Sequence, residues 1–187
     1  GAQGIDVLLP KAERASQIAE TRAALPNAGI LALIESARGV SEVDGIAAAG
    51  AQRLVFGTLD FALDLDMDIS TDACGLGYAA SRIAIASRLA GLPSPVAGVT
   101  PQLEDEARLL SDLAEARRFG FGAKLCIHPR QVRPIHAALH PSAQALDWAR
   151  RVLAADAASP GAARLDGRMV DRPVVLQAQR TLDLARH

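Results

Sequence analysis

The amino-acid sequence predicts an α/β fold: the later part of a parallel (β/α)8 TIM barrel followed by a helical extension. Three observations carry this expectation. Short apolar runs alternate with longer helical patterns over residues 1–140, which is the signature of strand–helix–strand units. The runs are continuously apolar, as in strands whose two faces are both dry. No Gly-x-Gly-x-x-Gly follows a strand at a helix start, so an open nucleotide-binding sheet lacks its usual mark and the closed barrel is the better reading.

Five strands are expected, at residues 5–9, 30–34, 54–56, 96–99 and 123–127. Each is bounded by a residue that stops extended pairing: Pro10, the Pro26/Gly29 break, Gly57, Pro95 with Pro101, and His128-Pro129. Between and after them lie helical patterns at 12–25, 40–49, 79–90, 102–119 and 131–139. In the fourth helix, Leu103, Ala107, Leu110 and Ala114 recur at helical spacing and predict one buried stripe. A complete barrel takes about 250 residues. Five units account for the sequence up to residue 140, so about three units are expected to lie ahead of it. Residues 141–187 form the extension: an amphipathic helix at 141–158, a small-residue loop at 159–163, and a last helix opening near Asp171-Arg172-Pro173.

Composition narrows the function. The 187 residues carry a net charge of −1, with one Trp, one Tyr and four Phe. Neither the electrostatics nor the stacking surface of a nucleic-acid binder is present. No apolar run approaches the ~20 residues of a membrane-spanning helix. Cys74 and Cys126 stand in unrelated contexts and suggest neither a metal pair nor a disulfide framework, so a cytoplasmic setting is expected.

In a barrel of this kind, chemistry sits where strands end. Glu35 comes directly after the run Ile30-Leu31-Ala32-Leu33-Ile34, and Asp60 lies just past the next strand, in Val55-Phe-Gly-Thr-Leu-Asp-Phe61. Both are expected at one mouth, from consecutive strands. Two carboxylates without nearby Cys or His suit a hard cation such as Mg2+, which takes one or two protein carboxylates and leaves its other positions to water and substrate. The competing structural roles are an ion pair between Glu35 and Arg38, and helix capping by Asp60.

Five ordered motifs add a resemblance. Leu-Pro-Lys at 9–11, Ala-Leu-Ile-Glu-Ser-Ala-Arg-Gly-Val at 32–40, Phe-Gly-Thr-Leu-Asp-Phe at 56–61, Lys-Leu-Cys-Ile-His-Pro-Arg-Gln at 124–131 and Asp-Gly-Arg-Met-Val-Asp-Arg-Pro-Val at 166–174 resemble the citrate lyase beta subunit family. That family lies within the HpcH/HpaI aldolase group, which includes malyl-CoA and citramalyl-CoA lyases. The resemblance implies Glu35 and Asp60 as Mg2+ ligands. It further implies that Asp171 is an acid/base on a C-terminal lid exchanged between subunits of a homo-oligomer, such as a trimer. Asp171 before a Pro-containing helix start is equally a natural N-cap.

The activity implied is Mg2+-dependent cleavage or formation of a carbon–carbon bond in a 3-hydroxy-acyl-CoA, through an acetyl-CoA enolate. The alternatives are a metal-dependent aldolase on free 2-oxo acids and a non-catalytic subunit that keeps the fold. Lys11 and Lys124 are candidates for contact with coenzyme A, against the commoner fate of a strand-edge lysine that reaches to solvent. The sequence also departs from the family. Its acidic motif and substrate-binding Arg belong to a region ahead of residue 1, and Ala97 stands where relatives often have Asp. His128 is expected to shape a turn, and His136 and His140 to lie on the surface.

Overall fold

The computed structural model describes residues 5–69, 74–159, 161 and 163–185; Pro160 and Ala162 of the small-residue loop lie outside the described residues. It divides into two compact units, Gly1–Ile135 and His136–His187.

In the first unit, β1 (Val7–Leu9), β2 (Ile30–Ile34), β3 (Arg53–Phe56), β4 (Val96–Ala97) and β5 (Ala123–Lys124) form one sheet in the order 1-2-3-4-5. Every neighbouring pair is parallel. Each crossover advances by one strand in one direction, which is the winding of a barrel wall. A doubly wound sheet would reverse about a switch point.

The crossovers are α1 (Ala15–Ala24), α2 (Ala37–Ser41) with α3 (Val43–Ala48), α4 (Thr58–Asp64) with α5 (Gly77–Leu89), and α6 (Glu106–Arg118). They dry one face of the sheet: Ile30, Ala32, Ile34, Leu54, Phe56 and Ala97 are buried in one cluster with Ile18, Val43, Ile46 and Ile83 from the helices. The register gives the opposite face to Leu8, Leu31 and Arg53 in one row and to Leu33, Val55, Val96 and Ala123 in the next. On this face Val55 and Val96 are buried while Leu31 and Leu33 are half-buried.

Two expectations need correction, and one helix is additional. The helix expected at 40–49 is two, because Glu42 leaves helical geometry at φ −95°, ψ 7° between α2 and α3. The first piece starts earlier, at an N-cap where the Ser36 side chain accepts from the Gly39 N–H. The stripe of α6 has another phase: Leu109 and Leu113 are its buried residues, Ala107 and Ala114 are exposed, and Leu103 precedes the Asp105 N-cap and so lies outside the helix. Helix α4 had no counterpart in the expectations, since its seven residues are too few to display a period.

After α7 (Val132–Leu139), the second unit pairs α8 (Ala143–Ala158) with α9 (Arg172–Leu184) through a hairpin of β6 (Arg164–Leu165) and β7 (Arg168–Met169). Ala149, Val152, Ala163, Val170 and Ala178 make its small core, flanked by Trp148, Val174 and Leu182. Asp166 at φ 49° and Gly167 at φ 77° form the hairpin's tip, the left-handed pair that a two-residue hairpin turn demands. Among the described residues, no helix is long and apolar enough to cross a membrane.

Candidate functional site

The site begins with a buried carboxylate. Glu35 directly follows β2, shares its side-chain face with Leu31 and Leu33, and is only 7% exposed. A carboxylate so placed requires a partner, and the chain supplies one from the loop after β1. There the Lys11 N–H donates to Glu35 Oε1 at 2.8 Å.

Lys11 reaches this position with φ 45°, in the left-handed region that a non-glycine residue rarely adopts. The surrounding loop is pinned. Gln17 Oε1 accepts from the N–H groups of Glu13 and Arg14 at 2.8 and 2.9 Å, while Gln17 Nε2 donates to Lys11 O at 3.1 Å. The Ala12 N–H donates to Leu33 O at 3.0 Å, tying the same loop to β2. The Ser36 hydroxyl donates to Glu13 Oε1 at 2.7 Å, joining the loop to the residue after Glu35.

The next strand provides the room. A Cβ on Gly57 would lie 2.5 Å from Glu35 Cβ and 2.8 Å from Oε2, so the carboxylate occupies space that only glycine leaves open. Gly57 also donates its N–H to Ile34 O at 2.8 Å, which fixes the two strand ends together. Asp60 stands three residues on, exposed in the first turn of α4. Burial pushes the Glu35 carboxyl above its usual range, the Lys11 N–H draws it down, and the negative charge of Asp60 adds to the rise. Asp60 therefore lies within electrostatic reach of Glu35.

The competing ion pair between Glu35 and Arg38 is not among the salt bridges of the described residues. Neither does Asp60 cap α4, whose N-cap is Gly57 without a side-chain bond. Two carboxylates of one sign, brought toward each other at the ends of adjacent parallel strands, fit a divalent cation. Its charge would relieve both the burial and the repulsion. Among the described residues no group of three or more His, Cys, Asp and Glu could hold a metal ion, so this pair would leave most positions of a cation open.

The other candidates stand apart. In the register Lys124 pairs with Ala97, which places its side chain on the helix-covered face, opposite to that of Glu35. Its Nζ donates to Gly98 O at 2.7 Å, and burial lowers its pKa. The structure thus brings the backbone of Lys11 to Glu35 and directs Lys124 elsewhere. Asp171, in the second unit, is the N-cap of α9, with its side chain accepting from the Val174 N–H at 3.2 Å. His128 Nδ1 accepts from the Arg130 N–H at 3.2 Å in the turn after β5, and His136 and His140 are exposed.

Known proteins share this architecture. The citrate lyase subunit beta-like protein of Mycobacterium tuberculosis is 35% identical over 182 residues, which are 94% of this chain and 65% of that protein. A (3S)-malyl-CoA thioesterase of Cereibacter sphaeroides is 30% identical over 181 residues, 94% of this chain and 63% of its own. The chain therefore spans just under two thirds of the length of these curated relatives. The crystal structure of CitE from M. tuberculosis in complex with magnesium, acetoacetate and coenzyme A superposes with a TM-score of 0.84 at 34% identity, covering 97% of this chain and 68% of that one. A citrate lyase from Burkholderia xenovorans gives 0.82 at 27% identity, covering 97% and 63%. The model of HpcH/HpaI aldolase/citrate lyase matches residues 5–129, and the chain belongs to that family.

Proposed function

We propose that this chain carries the metal-holding wall of a Mg2+-dependent lyase that breaks or forms a carbon–carbon bond beside a coenzyme A thioester. The observation that carries the reading is the Glu35/Asp60 pair at the ends of β2 and β3, with Glu35 buried and fixed by the Lys11 N–H. Glu35 and Asp60 would hold the ion. When bound, it supplies positive charge where a thioester carbonyl oxygen gains negative charge on the way to an enolate.

The chain's own residues do the positioning. Lys11, Gln17 and Gly57 hold the Glu35 carboxylate in one place, and the half-open face beside Leu31 and Leu33 leaves access to it. Asp171 is the proposed acid/base. On this reading it acts in the site of a neighbouring copy within a homo-oligomer; its Oδ1 accepts the N-cap bond from the Val174 N–H, and the residue is exposed. Magnesium and coenzyme A in the complex of the M. tuberculosis structure support the cofactor and the thioester class. The relative named for malyl-CoA thioester hydrolysis supports the thioester and leaves the fate of the carbon skeleton to experiment.

The test compares malyl-CoA, citramalyl-CoA and citryl-CoA with the corresponding free acids and with free 2-oxo acids, with and without Mg2+, in the protein and in Glu35→Gln. Thioester-dependent release of acetyl-CoA that needs Mg2+ and Glu35 is the expected result. Free CoA without carbon–carbon cleavage identifies a thioesterase, and equal cleavage of free 2-oxo acids identifies an aldolase. Folded protein that binds no Mg2+ and acts on none of these identifies a non-catalytic subunit and overturns the proposal.

A further inference from the structure

On the face of the sheet opposite to Glu35, a cavity of about 280 Å3 opens between the ends of β3–β5 and helices α5 and α6. Its size falls just below the range of about 300–1,000 Å3 typical of drug-sized ligands, which suits a small molecule. The walls are apolar over most of their extent: Phe56, Leu59, Ile69, Leu76, Phe119 and Phe121.

One end is charged, and the charges there are unevenly satisfied. Asp112 is fully engaged: Oδ1 accepts from Arg108 Nε at 2.7 Å, and Oδ2 accepts from the Thr100 hydroxyl at 2.6 Å. Arg108 has spent only its Nε in that bond, so its outer nitrogens remain for another acceptor. Lys124 Nζ makes a single hydrogen bond, to Gly98 O, and among the described residues no carboxylate lies within the 4.0 Å of an ion pair. Its register neighbour on β4 is the methyl group of Ala97. The Asp112 charge, already bonded to Arg108 and Thr100, offsets part of the desolvation of Lys124, and Glu115 also lines the cavity but is not among the charges that act on Lys124. An ammonium and part of a guanidinium, partly desolvated at the end of an apolar chamber, match a carboxylate head on a short hydrocarbon tail.

We propose that the cavity between the sheet, α5 and α6 binds a small aliphatic monocarboxylate, its carboxylate on Lys124 and Arg108 and its chain among Phe56, Leu76, Phe119 and Phe121. This site is separate from the Glu35/Asp60 pair and does not rest on the lyase reading.

The probes are hexanoate, its neutral counterpart hexanol, and a hexanoyl thioester of N-acetylcysteamine, titrated calorimetrically into the protein, Lys124→Met, Arg108→Gln and Glu35→Gln. Hexanoate is expected to bind saturably to the protein and to Glu35→Gln alike. Lys124→Met keeps the aliphatic stem and is expected to weaken hexanoate at least ~10-fold, the scale of one lost charge-assisted hydrogen bond. Arg108→Gln gives a second reading should Lys124→Met fail to fold. Hexanol and the thioester are expected to bind at least as much more weakly. Three results would overturn the inference: no saturable hexanoate binding by folded protein, equal binding of acid and thioester, or loss of hexanoate binding in Glu35→Gln, which would put the ligand at the carboxylate pair.

Discussion

Replacing Gly57 by Ala tests the site at its tightest point. The added Cβ would lie 2.5 Å from Glu35 Cβ and 2.8 Å from Glu35 Oε2, whereas carbon atoms rest at about 3.5–4.0 Å. About 1 Å of displacement is required, and the strand ends cannot supply it freely, because the Gly57 N–H is bonded to Ile34 O at 2.8 Å. Glu35 must swing instead, straining its bond from the Lys11 N–H. Overpacking of this kind typically destabilises by about 1–3 kcal/mol, which for a chain of this size lowers the melting temperature by roughly 2–12 °C. Since Mg2+ accepts ligands only near 2.0–2.1 Å in octahedral array, the displaced carboxylate should also weaken Mg2+ by at least ~10-fold. Urea unfolding and Mg2+ calorimetry read the two effects separately. Gly45→Ala is the control: in α3 its added Cβ meets nothing within 4 Å, and the change should stabilise by about 0.5–1 kcal/mol. If Gly57→Ala keeps both its stability and its Mg2+ affinity, the packing argument is wrong. If stability falls while affinity holds, Glu35 is not a ligand.

Glu35 also sets a pH dependence. Its folded pKa is raised by burial and by Asp60 above the ordinary carboxyl value, so its stabilising contribution is complete below that ordinary value and is lost as pH rises through the folded pKa. In metal-free protein, denaturant titrations across that window should show stability falling with pH, and Glu35→Gln should flatten the slope; a slope unchanged in the variant contradicts the assignment. Lys11→Gly keeps the N–H that holds Glu35 and relieves φ 45°, so Mg2+ affinity should persist, whereas Lys11→Val, β-branched in the left-handed region, should lose stability and affinity together in thermal melts and calorimetry. Asp171→Ala removes the cap on Val174 and should destabilise by about 0.5–2 kcal/mol, while Asp171→Asn retains the cap and should lower turnover at least ~10^2-fold with Mg2+ binding intact. Full turnover in folded Asp171→Asn would leave Asp171 with its cap role alone.

Strand order and the location of the carboxylates were legible because they rest on long-lived signals. An apolar run ending at a polar residue marks a strand end whatever its neighbours do; Glu35 sits at such an end, and Asp60 lies four residues past the end of β3, in the first turn of α4. The phase of α6 was not legible, since Leu103, Ala107, Leu110 and Ala114 and the true stripe of Leu109 and Leu113 both satisfy helical spacing. Only the N-cap at Asp105, with its side chain on the Arg108 N–H at 2.8 Å, settles where the helix begins. The hairpin tip was present in the letters as Asp166-Gly167, a recognised turn pair, but strands of two residues show no alternation to go with it.

Harder still to see was the support around Glu35. The group that holds it is a backbone N–H, which every residue but proline carries, and the residue that makes room for it is a glycine with no side chain to read. Lys11 drew notice in the sequence for its ammonium, yet the structure uses its amide. Lys124 drew the same notice, and the parallel register turns it to the other face. The odd–even alternation of a strand decides such questions, but only once the register is known: Glu35 aligns with Leu33 and Leu31, Lys124 with Ala97 and Phe56. One sheet thereby separates two chemistries, the buried carboxylate of Glu35 on one face and a partly desolvated ammonium on the other. A single-residue slip in β5 would exchange the faces and turn Lys124 to the face that carries Glu35.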